Sequence, residues 1–153
     1  MGYADADGSM AEDQHTISGY AFIIHRGAVS WSAKCQKIVS LLMTESEYIT
    51  ATHTAKEGLW LHSLIQQLFD TTLSLTTLYS DNQSAITLMK DHQYHTCTKH
   101  INIQYHFIHC IVEQGSIWLV YCPTDDMVTD TFTKALPSAK VKYFAAKLGL
   151  MLP

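Results

Sequence analysis

Four stretches of this 153-residue sequence carry acidic side chains that could do chemistry together: Asp5 in YADAD, Glu47 in TESEY, Asp81 in LYSDNQSA and Asp130 in PTDDMVTDTFTK. Aspartate is depleted in strands, yet Asp5 falls inside an alternating stretch, with Tyr3, Asp5 and Asp7 on one face and Ala4 and Ala6 on the other. Asp7 precedes Gly8-Ser9 and reads as turn chemistry, whereas Asp5 has only fraying near the N-terminus as an ordinary explanation. Thr44 and Glu47 have the spacing of a capping box, which accounts for Glu47 completely. Glu47 also stands one turn before Ala51, at the end of a helix stripe that faces a sheet, where a carboxylate needs a partner or a metal. Glu45 lies on the opposite, solvated side of that helix. Asp81 sits where an apolar strand turns at once into a helix, and an N-cap is a sufficient role for it. Asp125 and Asp126 suit the first turn of a helix; Asp130, a turn later, gains less from the dipole and alone reads as a surface aspartate.

Taken together the four point further. Asp5 on a first strand, Asp81 at the end of a later strand and Glu47 at a helix start can meet over one edge of a sheet, where ligands of parallel-type sheets gather. Hard oxygen ligands grouped without nearby Lys or Arg repel one another unless cations are bound. Such a set suits Mg²⁺ or Mn²⁺, whose usual chemistry is displacement at phosphorus.

The elements that would position these groups read as three strands, a long helix, a strand, two helices, a strand and a final helical region. The stretch SGYAFIIHRGAVSWSAK predicts a hairpin with strands over 20–24 and 28–32. From MTESEY to Phe69 the period becomes helical, with Ala51, Ala55, Gly58, His62, Ile65 and Phe69 on one face. A strand over 75–80 and its helix follow, then a helix over 99–114 stopped by Gly115. SIWLVYC is the last strand, DDMVTDTFTKAL reads as helical up to Pro137, and 138–150 is a final amphipathic helix that completes the core or offers a docking surface. This order predicts an α/β fold, one mixed sheet covered by helices, in a single domain over 1–153.

Composition bounds the rest. With 47% hydrophobic and 16% charged residues the chain reads as folded and soluble, with no apolar run able to span a membrane and no secretion signal. Four scattered cysteines, Cys35, Cys97, Cys110 and Cys122, suit reduced thiols in an intracellular setting. A net charge of −4 argues against avid nonspecific nucleic-acid binding but not against an enzyme whose acidic groups hold cations.

The series YADAD, ISGYAFIIHRGAVSWSAKCQK, MTESEY, LYSDNQSA, TKHINIQYHFI and YCPTDDMVTDTFTKALP, in order over nearly the whole chain, resembles the ribonuclease H domain of copia-type retrotransposon polyproteins. The resemblance implies a ribonuclease H-like fold with a five-stranded sheet, three strands antiparallel and two parallel. It implies hydrolysis of the RNA strand of RNA–DNA hybrids with two Mg²⁺ ions, Mn²⁺ being a substitute. The family's acidic set falls on Asp5, Glu47, Asp81 and Asp130, as catalytic residues and metal ligands. The same resemblance makes the reverse transcriptase domain of one polyprotein the partner, and the cytoplasm, in a virus-like particle, the place. Asn82, Gln83 and Ser46 are candidates for contacts to the RNA 2′-hydroxyls, and Lys34, Lys99 and Lys134 for phosphates.

Departures from the family pattern qualify this. Gly8 stands where a Trp is usual, and Cys97, Gln104 and His109 stand where Arg is common, which weakens the expected hold on a hybrid. The glycine- and histidine-bearing loop of some cellular ribonucleases H is missing, so slow turnover is expected. Met1-Gly2 in place of preceding chain suggests an excised domain. Three other readings compete. Nine histidines raise a zinc module, but His95, Cys97, His100, His106 and His109 form no recognised ligand set. A transposase or integrase of the same fold would order its acids Asp, Asp, Glu, whereas here the glutamate comes second. A catalytically weak or inactive interaction domain is the remaining alternative.

Overall fold

Alternation of small and aromatic residues in GYADAD and ISGYAFII gives two strands with one apolar face each, and these form the middle of the sheet. The computed structural model describes residues 1–7, 16–36, 43–70, 75–91 and 99–150, with the backbone alone for 99–105. β1 (Gly2–Asp7) pairs antiparallel with β2 (Ile17–Ile24), and β2 pairs antiparallel with β3 (Gly27–Cys35). His25 and Arg26 make the connection with φ of 58° and 91°, positive at both positions as a tight two-residue hairpin turn demands. Then follow α1 (Met43–Phe69), β4 (Thr76–Ser80), α2 (Gln83–Lys90), α3 (Lys99–Glu113) and β5 (Ile117–Tyr121). A 3-10 turn (Thr124–Asp126) leads to α4 (Asp130–Thr133) and α5 (Ser138–Lys147). The sheet order is β3-β2-β1-β4-β5, with β1/β4 and β4/β5 parallel. The fold expected from the sequence is the one observed.

Helices cover both faces. On one, Ala4, Leu78 and Leu119 of the sheet pack against Tyr48, Ala51 and Ala55 of α1, Ile86 and Met89 of α2 and Ile108 of α3. On the other, Ala21 packs against Val128, Phe144 and Leu148, so the last helix completes a second core. Gly58 lets α1 lie close to β2: a Cβ there would stand 3.1 Å from the Phe22 ring. The apolar stripe of α1 ends sooner than its periodicity suggests. Ala51 and Ala55 are buried, but Phe69 is 70% exposed.

Two further expectations change. The hairpin strands are longer than 20–24 and 28–32, since pairing of Ser18 and Gly19 with β1 holds residues of weak strand preference in the ladder. The segment from Asp125 to Leu136 is not one helix. Met127 turns extended, with ψ of 95°, and Met127 and Val128 enter the core, splitting the segment into two single turns. Asp125 and Asp126 then pair with Lys140 and Lys147 of α5 rather than serving a helix dipole. The turn at Gly8-Ser9 lies outside the described residues.

The end of α5 is fixed by Gly149, whose φ is +78° and whose missing Cβ would collide with the Arg26 carbonyl oxygen, beside the bond from the Ala28 N–H to the Leu148 carbonyl at 2.9 Å. Gly149→Ala should therefore destabilise the protein by roughly 1–3 kcal/mol. A denaturant midpoint equal to wild type would show that this docking contributes nothing.

Candidate metal centre

Parallel pairing between β1 and β4 is made at Gly2↔Leu78 and Tyr3↔Tyr79. The carboxylates of Asp5, two residues further along β1, and Asp81, just past β4, converge beyond that paired stretch, and Glu47 reaches them from the first turns of α1. Oxygens of Asp5, Glu47 and Asp81 lie within 4.8 Å of one another, the one such group among the described residues. They line a cleft of about 390 Å³ together with Asn82, Gln83, Tyr121 and Lys134.

Each carboxylate has a distinct hold. Glu47 is 4% exposed and its Oε1 accepts from the Ala6 N–H at 3.2 Å, so it does not close a capping box on its own helix. Its Oε2 is buried and has no hydrogen-bond partner among the described residues. Asp5 is buried, with one oxygen taking the Thr133 hydroxyl and the other facing the Lys134 ammonium at 3.3 Å. Asp81 accepts from the Thr124 hydroxyl at 3.1 Å. It does not cap α2; Asn82 does, accepting from the Ala85 N–H at 3.0 Å.

Asp130 is 1% exposed, not the surface aspartate its sequence context suggests, and it sits one step aside from the other three. The connection is Lys134, whose Nζ is 2.7 Å from Asp130 and 3.3 Å from Asp5. The expectation of an acidic cluster without a nearby cation is thus corrected: Lys134 is that cation.

The electrostatics follow from crowding and burial. Burial pushes the Asp5 carboxyl up to about 6, against the pull of Thr133 and Lys134. Burial, then the charges of Asp5 and Asp81, push Glu47 up to about 9. Asp130 is also raised by burial, with Lys134 opposing. Burial works against the charge on Lys134, but the hydrogen bond to Asp130 and the charge on Asp5 outweigh it and raise its pKa. A set of hard oxygens, one of them buried without a partner, fits a small divalent cation such as Mg²⁺ or Mn²⁺.

The other residues read from the sequence distribute unevenly. Gln83 is exposed and lines the cleft; Asn82 lines it too, with its side-chain oxygen engaged in the cap. Ser46 is buried, its hydroxyl 3.1 Å from that of Thr16. Lys34 lines a separate hollow between α1 and the β2–β3 hairpin, with Ser18, Tyr20 and His53. The side chains of Lys99 and Gln104, with those of His95, Cys97 and His100, lie outside the described residues; His109 is half-buried on α3. Two contributors are not evident from the acidic pattern. Thr133 supports Asp5, and Gly19 lets α4 approach, since a Cβ there would stand 2.8 Å from the Thr133 methyl. A glycine inside a strand is the available signal for the second.

The architecture defines a class. Solved structures of similar fold include LC11-RNase H1 in complex with an RNA/DNA hybrid, with a TM-score of 0.58 and 12% identity over 86% of this chain and 91% of that one. The N-terminal RNase H domain of Rv2228c from Mycobacterium tuberculosis aligns over 94% of this chain and 95% of that one, at a TM-score of 0.58 and 11% identity. The fold is that of ribonuclease H. In sequence the chain is 40% identical over 152 residues to the retrovirus-related Pol polyprotein from transposon TNT 1-94 of Nicotiana tabacum, covering 97% of this chain. It is 35% identical over 149 residues to that from transposon RE1 of Arabidopsis thaliana, again over 97% of this chain. The chain spans 11% and 10% of the lengths of these two relatives. No protein-family model matches it. Among the described residues no helix is long and apolar enough to cross a membrane.

A pH dependence follows from Glu47. Between the ordinary glutamate value and about 9, the folded protein keeps a proton that the unfolded chain has released, so stability falls as pH rises through that interval. In chelator, the melting temperature should drop between about pH 6.5 and pH 8.5, with a slope of roughly one proton, and Glu47→Gln should remove that component. Equal slopes in the two proteins would show that Glu47 ionises normally.

Proposed function

We propose that this chain is the ribonuclease H domain of a copia-type retrotransposon Pol polyprotein and hydrolyses the RNA strand of RNA–DNA hybrids. The observation that carries the reading is the convergence of Asp5, Glu47 and Asp81 within 4.8 Å at the strand ends of a ribonuclease H fold. The alignment with Pol polyproteins over 97% of the chain supports the polyprotein setting; in this reading the reverse transcriptase domain is its neighbour, in a cytoplasmic particle. The hybrid bound by LC11-RNase H1 supports the substrate class.

Asp5, Glu47, Asp81 and Asp130 would hold two divalent ions, Mg²⁺ or Mn²⁺. Bound there, the ions would supply an activated water and stabilise charge on the leaving 3′ oxygen, giving 5′-phosphate products. The protein's own part is orientation. Thr133 fixes one face of the Asp5 carboxylate, the Ala6 N–H fixes Glu47, and Thr124 fixes Asp81. Asp5, on the inner strand and close to both Glu47 and Lys134, would be the central ligand of such a pair. Gln83 and Asn82, which line the cleft, would meet the 2′-hydroxyls that mark an RNA strand.

Incubation with a labelled RNA–DNA hybrid and Mg²⁺ tests this, with double-stranded RNA and DNA as controls. Wild type should cut the RNA strand of the hybrid alone. Asp81→Asn should lose more than the roughly 10–100-fold that removal of an outer-shell partner costs. Equal cutting by both proteins would refute the site. Failure of wild type to cut at high protein and low salt would favour a non-catalytic interaction domain.

A further inference from the structure

Lys134 ends α4, and its backbone N–H donates to the Asp130 carbonyl at 2.9 Å, so the helix turn itself carries its side chain back over Asp130. The ammonium contacts carboxylates from opposite ends of the chain, Asp130 at 2.7 Å and Asp5 at 3.3 Å. It also lines the cleft that Asp5, Glu47 and Asp81 share. The lysine side chain is 29% exposed, whereas those of Asp5 and Asp130 are 1% and 2% exposed. The anions are fixed in the protein; the cation is the member of the trio with a way out to solvent.

We propose that Lys134 is an internal counter-ion that competes with divalent metal for the Asp5–Asp130 half of the centre, and therefore sets its metal affinity. This rests on the reading of these carboxylates as metal ligands. An ammonium and a divalent ion both neutralise paired carboxylates, and the two cannot share the same oxygens at close range without strong repulsion. Loading a metal between Asp5 and Asp130 thus requires the ammonium to leave. Its flexible stem allows this, because the charge sits at the end of four methylenes and one side of the group already faces solvent. The displaced ammonium stays at the rim of the cleft, where an anionic substrate would arrive. Without metal, the lysine holds Asp5 and Asp130 together. Of the four acidic groups, the two contacted by Lys134 are affected directly; Glu47 and Asp81 keep their own partners, the Ala6 N–H and the Thr124 hydroxyl.

The test uses metal alone and no nucleic acid. Calorimetric titration of Mg²⁺ into the whole chain should show Lys134→Met binding tighter than wild type by roughly tenfold or more, since one competing charge is removed. Lys134→Arg, which keeps the charge, should not gain affinity. In chelator, Lys134→Met should melt below wild type, and saturating Mg²⁺ should raise its melting temperature by the larger amount. A readout on wild type covers the case in which Lys134→Met does not fold. Reductive methylation of Lys134, followed by peptide mass mapping, should be slow in chelator and faster in saturating Mg²⁺. Equal or weaker Mg²⁺ binding by Lys134→Met, or methylation indifferent to Mg²⁺ in a wild type that binds it, overturns the proposal and leaves the metal centre standing. No Mg²⁺ binding by wild type, Lys134→Met or Lys134→Arg overturns both.

Discussion

Like charges resist being buried together, and this protein brings carboxylates from four separate segments to one end of a sheet. Removing an ionised carboxylate from water is costly unless hydrogen bonds, opposite charge or a proton compensate. The described residues supply some of each. The Ala6 N–H and the hydroxyls of Thr133 and Thr124 each satisfy one oxygen, Lys134 serves two groups at once, and Glu47 holds on to its proton. One oxygen of Glu47 has no hydrogen-bond partner among the described residues. A site that is electrically incomplete by itself is one that gains from binding cations.

The surrounding architecture is arranged to hold that frustrated cluster. A small polar network anchors the start of α1 and with it Glu47: the Gln36 amide donates to the Ser18 hydroxyl at 2.6 Å, the Ser46 carbonyl at 3.0 Å and the Thr50 hydroxyl at 3.1 Å. Two apolar cores, one on each face of the sheet, keep β1 from moving in either direction. Ion pairs from α5 to the 3-10 turn steady the segment that leads to Asp130.

Periodic signals were readable from residues alone, and contacts between distant segments were not. The long helix, the Gly115 stop and the order of strands follow from local spacing, and the observed elements agree with them. The preference for Asp5 over Asp7 rested on the turn chemistry of Asp7-Gly8-Ser9, and that for Glu47 over Glu45 on a helix stripe, and Asp5 and Glu47 do meet. Local reasoning failed where tertiary packing decides. It assigned a cap to Asp81 that Asn82 makes, a continuous helix to a segment that Met127 and Val128 pull into the core, and an exposed face to a buried Asp130. It could not see that Lys134 lies against Asp5, because nothing within a few residues of either reports the other.

The hydroxyl that steadies Asp5 belongs to a residue 128 positions later in the chain. A ribosome delivers the first strand before Thr133, so a half-made domain carries its aspartate without the group that orients it. Closing so long a loop is entropically expensive and slow compared with forming the hairpin or the long helix. Assembly of the acidic cluster is therefore a late event in maturation, and a nascent or truncated chain lacking that threonine has the first strand but not the finished centre.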